Sequence, residues 1–216
     1  MANDLEWQDF LKKYQQRLYR RGQIVLFQGE SPRYAYYIKK GIIKTYNIDY
    51  DGNEQFIDLL SIRATFPKLW IWDQDNNARY YYEALSDCYI YLIPKGAYRD
   101  FIKDNQKLME GEMLSTLNDY KNSSSRLNAL LYTRASDKIA HILIYLVNTY
   151  ANNTKSDNIT IDIKLTHQHL ASLTGLTRET VSVELNKFKN MGVLSYKPSQ
   201  YRININKLNQ VLKKEF

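Results

Sequence analysis

The sequence predicts an α+β chain: an N-terminal antiparallel β-roll of the jelly-roll kind, one long helix, and a C-terminal pair of short helices closed by a β-hairpin. Three observations predict it. Between Arg20 and Pro94, short runs rich in β-branched and aromatic residues alternate with turn residues. From Asp104 to Leu131, apolar residues recur at alternating spacings of four and three. From Leu165 to Val193, two amphipathic patterns flank Gly175, and a strand-turn-strand pattern follows them. The division expected is residues 1–103, 104–136 and 137–216. A chain of 216 residues with 44% hydrophobic and 25% charged residues has length and apolar content for two modest cores.

Within residues 4–19, Leu5, Phe10, Tyr14 and Leu18 stand at near-helical spacing and predict an entry helix. Strand-like runs follow: Ile24–Phe27 before Gly29, Ala35–Ile38 before Gly41, Ile42–Ile48 before Asp51-Gly52, and Glu54–Leu60. The run Phe66–Tyr82 is unusually aromatic, with Trp70, Trp72 and Tyr80–Tyr82. Such residues pack on strand faces, fill a pocket from within, or cage a flat or cationic ligand, and all three readings stay open here. Cys88 is the sole cysteine, which excludes an intrachain disulfide and thiolate-ligated metal or cluster sites within one chain. Its expected place is a core strand. Metal-dependent roll enzymes need clustered His and carboxylate ligands inside the roll, whereas His141, His167 and His169 all lie outside it. No metal, cofactor or catalytic site is therefore expected. A haem sensor using an axial histidine of this domain is disfavoured for the same reason.

In the long helix, Met113, Leu117, Tyr120, Ser124, Leu127 and Leu131 form a heptad seam, weakened by polar Glu110 at the preceding position and small Ser124. The seam suits a second copy of the chain or packing on the chain's own roll, and both can hold. Thr133–Ser136 reads as a hinge, with Ser136 expected to cap a helix whose buried stripe is Ile139, Leu143, Leu146 and Tyr150. Ala151–Asn158 reads as a polar loop and Ile159–Ile163 as a strand.

Thr166 is a good N-cap, Leu170 and Leu173 give the next helix an apolar side, and Gly175 allows the left-handed turn that ends it. Thr177 then caps a second helix with Glu179 in its first turn and Val181, Leu185 and Phe188 in one apolar stripe. The opposite face carries Arg178, Glu179, Ser182, Asn186, Lys187 and Lys189, side chains able to reach base edges and phosphates in a major groove. Leu194–Tyr196, a Lys197–Gln200 turn and Tyr201–Ile205 make the hairpin, and Leu208, Val211 and Leu212 a closing helix. Charge follows the same division: residues 137–216 hold 11 Lys/Arg against 6 Asp/Glu, and residues 1–136 hold 19 against 17. The basic excess beside the paired helices suits phosphate binding.

The Thr-Arg-Glu-Thr-Val-Ser string at Thr177–Ser182 closely resembles the recognition helix of the CRP/FNR family of bacterial transcription regulators. The turn glycines at 22, 29, 41 and 52, with Tyr36-Tyr37-Ile38 before Gly41 and Asp51-Gly52-Asn53-Glu54 at a hairpin, resemble that family's cyclic-nucleotide-binding roll. The resemblance covers nearly the whole chain. It implies a homodimer bound to double-stranded DNA, with RNA polymerase as a further partner. The DNA-contacting set it implies is Thr166, Gln168, Thr177, Arg178, Glu179, Thr180, Ser182, Val183, Lys187, Lys189 and Lys197. Where family members often place a second arginine, this chain has Val183, which presses on a thymine methyl or, alternatively, faces the core.

Cyclic-nucleotide members resembling this chain hold the ribose with a Gly-Glu pair and the phosphate with an Arg-Ser pair. The matching positions here are Lys68 and Leu69, then Arg79 and Tyr80, with Ser123 and Ser124 at the hydroxyl pair offered to the base. Leucine cannot accept a ribose hydroxyl and tyrosine takes volume the phosphate needs, so cyclic AMP is not the expected effector. Arg79 is open to a second reading as a surface ion-pair residue, and another small effector or none remains open. The rival classes are a cyclic-nucleotide-responsive member of the same family and a cupin-like roll enzyme or scaffold. No window is long and apolar enough for a membrane helix, and the acidic start MANDLEWQDF is unlike a secretory signal, which together predict the cytoplasm.

Overall fold

Strand alternation organises the first of the two units into which the chain divides, residues 1–116 and 117–216. The computed structural model describes residues 2–151, 156–197 and 200–213. In the first unit, β1 (Gln15–Tyr19), β2 (Ile24–Leu26), β3 (Ala35–Lys40), β4 (Ile43–Ile48), β5 (Glu54–Leu60), β6 (Thr65–Phe66), β7 (Tyr81–Ala84) and β8 (Cys88–Ile93) form two four-stranded sheets. Their orders are β1-β8-β3-β6 and β2-β7-β4-β5, with antiparallel pairing throughout. The two sheets enclose one core of Tyr19, Leu26, Tyr36, Ile38, Ile43, Phe66, Tyr82, Cys88 and Ile90.

The first sheet is buried on its other face as well. Four helical elements accompany the roll: α1 (Ala2–Leu11), the one-turn α2 (Lys68–Ile71), α3 (Lys95–Lys103) and the start of α4 (Gln106–Leu131). Because successive side chains of a strand point to opposite faces, β3 sends Tyr36 and Ile38 inward and Ala35 and Tyr37 outward. The outward pair packs with Phe10, Leu11, Ile71, Tyr98, Ile102 and Leu108. A strand covered on both faces reads as a continuous apolar run, as Ala35–Ile38 does.

Three expectations are corrected here. The entry helix ends at Leu11, and Gln15–Tyr19 is instead an edge strand paired with β8 along its whole length. Leu5 is exposed, so the buried side of α1 is Phe10 and Leu11 rather than a stripe reaching Leu18. The long helix starts at Gln106, where the Asn105 side chain accepts from the backbone N–H of Lys107 at 3.0 Å, and α3 precedes it as a separate helix. Gly41 and Cys88 fit their expected turn and core roles. At φ 101°, a Cβ on Gly41 would lie 2.5 Å from Cys88 Sγ and 2.6 Å from the Asp87 carbonyl oxygen.

The outer face of the second sheet holds a buried cation. Lys44 Nζ lies 2.6 Å from Glu54, 3.1 Å from Glu83 and 4.2 Å from the Tyr46 ring centroid, with the lysine side chain only 4% exposed. Two carboxylates and a ring replace the water this ammonium has lost.

The second unit contains the rest of α4, then α5 (Ala135–Tyr150), β9 (Asn158–Ile161), α6 (His167–Thr174), α7 (Arg178–Asn190), β10 (Leu194–Lys197), β11 (Gln200–Asn204) and α8 (Ile205–Lys213). The strands form one antiparallel sheet ordered β10-β11-β9. Ile139, Leu143 and Leu146 of α5 are buried, as their spacing predicts, whereas Tyr150 of the same expected stripe is half-buried. Ser136 is not the cap of α5: Arg134 stands at the N-cap, and the Ser136 hydroxyl donates to the Asp137 carboxylate inside the first turn. Of the polar loop, residues 152–155 lie outside the described residues, as do Pro198 and Ser199 of the hairpin turn. Among the described residues no helix is long and apolar enough to cross a membrane, and no group of three or more His, Cys, Asp or Glu could hold a metal ion.

Candidate nucleic-acid interface

The α6–α7 pair is built by short-range rules. The Thr166 hydroxyl accepts from the His169 N–H at 3.1 Å, and the His169 ring nitrogen accepts from the Thr166 N–H at 3.3 Å, which closes a reciprocal cap on α6. Gly175 ends the helix in the left-handed conformation at φ 65°. Thr177 then caps α7 by accepting from the Thr180 N–H at 3.2 Å. Leu170, Leu173, Val181, Leu185 and Phe188 are all buried. Each such side chain contributes about 1.5–3 kcal/mol relative to exposure, and together they fix which way α7 faces.

The face left outside carries the expected residues. Thr166, Gln168, Thr177, Arg178, Glu179, Val183, Lys187, Lys189 and Lys197 are exposed, while Thr180 and Ser182 are half-buried. Val183 is 54% exposed and lies off the buried stripe, so its core-facing alternative does not hold. Lys187 pairs at 2.7 Å with Glu184 one turn earlier, and Lys189 Nζ stands 5.9 Å from the Tyr196 ring centroid.

Sequence reasoning missed the group that ties these parts together. His167 Nδ1 lies 2.7 Å from the Ser182 hydroxyl, linking the first residue of α6 to the middle of α7. The His167 ring meets Tyr196 of β10 edge-on at 5.5 Å, and Tyr196 stacks on Tyr201 of β11. The Tyr201 hydroxyl donates to the Leu165 carbonyl at 3.1 Å, and burial pushes its pKa up to about 12. Burial, with the Arg178 guanidinium second, holds His167 below its usual 6.5 and favours the neutral ring that Ser182 meets. The available signal was the i to i+15 separation of two polar residues on helices already expected to cross, which periodicity does not report.

The seam positions of α4 are largely bare. Met113, Leu117, Tyr120, Leu127 and Leu131 are 54–79% exposed, and Ser124 is half-buried. In the first unit, the Lys68 ammonium donates to Ser115 at 2.9 Å and Leu69 is exposed. Arg79 forms a two-bond pair with Asp75 at 3.1 and 3.2 Å, which is the ion-pair reading left open above. Tyr80 packs against the roll core. Ser123 is exposed and belongs, with Ser124, to the second unit. The aromatic run divides: Phe66 stacks between Tyr36 at 5.2 Å and Tyr82 at 4.8 Å inside the roll, whereas Trp70 and Trp72 pack with the outer cluster.

Residues 16–105 match the family model of the cyclic nucleotide-binding domain, and residues 137–212 match that of the Crp-like helix-turn-helix domain. The cAMP-activated global transcriptional regulator CRP of Pasteurella multocida is 25% identical over 191 residues, covering 88% of this chain and 90% of its own. FixK2 from Bradyrhizobium japonicum superposes with a TM-score of 0.74 at 17% identity, over 91% of this chain and 96% of its own. A CooA mutant from Carboxydothermus hydrogenoformans gives a TM-score of 0.73 at 20% identity, over 94% and 89%. Two domain models in this order, with relatives that span both, settle the assignment: the chain belongs to the CRP/FNR family of DNA-binding transcription regulators.

Proposed function

We propose that this regulator acts as a homodimer on a pseudo-palindromic operator in the cytoplasm, with α7 in the major groove and RNA polymerase as a further partner. The observation that carries the reading is the outer face of α7, where Arg178 and Glu179 in the first turn and Val183 one turn later stand exposed while the stripe behind them is buried. Arg178 would fork onto guanine, Glu179 would accept from cytosine N4, and Val183 would press on a thymine methyl. Thr166, Gln168, Thr177, Thr180, Ser182, Lys187, Lys189 and Lys197 would meet phosphates and fix the register. The exposed apolar stripe of α4 supports assembly with a second copy, because side chains of this size at heptad spacing are ordinarily covered.

The roll, in this reading, does not take cyclic AMP. Leu69 and Tyr80 replace the ribose carboxylate and the phosphate hydroxyl, Arg79 is engaged by Asp75, and the Tyr36, Phe66 and Tyr82 rings stack in the core between the sheets. The direct test is binding to a duplex selected from a random pool, repeated at several salt concentrations. A dimer neutralising about six to ten phosphates should lose roughly a thousandfold or more in affinity from 50 to 200 mM salt. A flat salt response would remove the DNA reading.

A further inference from the structure

One recess of the first unit lies away from the positions that match the family's nucleotide contacts. A cleft of about 880 Å³ opens on the outer side of the first sheet, between α1, β3 and β8 and the first turns of α4. That volume lies within the range of small-molecule sites. None of Lys68, Leu69, Arg79, Tyr80, Ser123 or Ser124 lines it.

Its lining has a definite chemistry. Trp7 and Tyr37, stacked at 4.9 Å, give it an aromatic wall, and Tyr91 adds a further ring beside them. Lys12, Lys39, Arg63 and Lys107 line the cleft beside a single lining carboxylate, Glu112; Lys12 is paired to Asp9, and Lys39 donates to Gln16 at 3.1 Å and stands over the Tyr91 ring. Glu112 is engaged from below: it accepts from the Tyr98 hydroxyl at 3.2 Å and the Trp72 indole N–H at 3.4 Å. The first unit is nearly neutral as a whole, so this excess is local, and low-dielectric aromatic walls strengthen its attraction for an anion. We propose that the cleft binds a planar aromatic molecule bearing an anionic group, with its ring beside Trp7 and Tyr37 and its charge towards Lys39 and Lys107.

Gly111 offers a test that does not threaten the fold. It lines the cleft from within α4, and a Cβ built on it meets nothing within 4 Å. Gly111→Leu therefore suits the helix and projects a side chain into the space. The probe is 2-naphthoate, titrated calorimetrically into the full-length protein, with neutral 2-naphthamide as control. Saturable binding of one naphthoate per chain below about 1 mM is expected. Binding should be lost in Gly111→Leu at an unchanged or raised melting temperature, and weakened about tenfold or more both by the Lys39→Gln/Lys107→Gln pair and by replacing naphthoate with naphthamide. Absent saturation in the unaltered protein would overturn the proposal. So would equal binding by Gly111→Leu, or binding that Arg79→Gln weakens while the cleft variants leave it intact, which would put the ligand inside the roll. These outcomes are independent of whether the chain binds DNA.

Discussion

The winged helix and the roll differ in how far along the chain each must reach to make a surface. Around α7 the caps and the surface pair are close in sequence, Thr166 with His169, Thr177 with Thr180 and Lys187 with Glu184, and His167 with Ser182 is the longer-range exception. In the roll, Lys44 of β4 depends on Glu83 of β7, Ile42 on Ser86, and Tyr98 of α3 on Thr65 of β6, pairs brought together only when distant parts of the chain meet. A local rule can keep a face polar and exposed over four turns of helix. A non-local one decides whether a cavity is open or filled.

The largest expected effect concerns whether the reading head works alone. Leu127 is 63% exposed on α4, so Leu127→Asp costs a single copy almost nothing, yet in a dimer it faces its own equivalent across the two-fold axis and buries like charges. Sedimentation should show a dimer converted to monomer. An unchanged dimer would remove the seam from the interface and leave α7 to be paired by some other surface.

The contrast in reach also sets what was legible in the sequence. The caps at Thr166 and Thr177, the left-handed Gly175 and the buried Val181, Leu185 and Phe188 stripe could all be read from residues three to seven apart. Strands β3, β4 and β5 were readable for the same reason. The edge strand Gln15–Tyr19 was not, because its conformation comes from pairing with β8, 69 to 77 residues later, and not from its own polar composition. The His167–Ser182 contact and the aromatic cleft escaped likewise: each joins elements whose approach no single-segment pattern encodes. The run from Phe66 to Tyr82 showed that aromatic residues were concentrated, but only the fold divides them between the roll interior and its outer cluster.

The smallest effect is expected in the roll. Cyclic AMP or cyclic GMP at millimolar concentration should leave the melting temperature unchanged, whereas a ligand at a hundred times its dissociation constant stabilises by about 2.7 kcal/mol. A rise abolished by Arg79→Ala would mean that the stacked rings yield to a nucleotide and that Asp75 releases the arginine.

The central claim is that the exposed face of α7 reads bases, and affinity measured over every single-base variant of a selected duplex tests it most directly. Glu179→Ala should relax discrimination at one base pair by about 1–3 kcal/mol with little change in salt slope, since no phosphate contact is removed. Val183→Arg should create a guanine preference at a neighbouring position. If both substitutions instead change affinity by the same factor for every variant, α7 does not present this face to the groove and the account is contradicted.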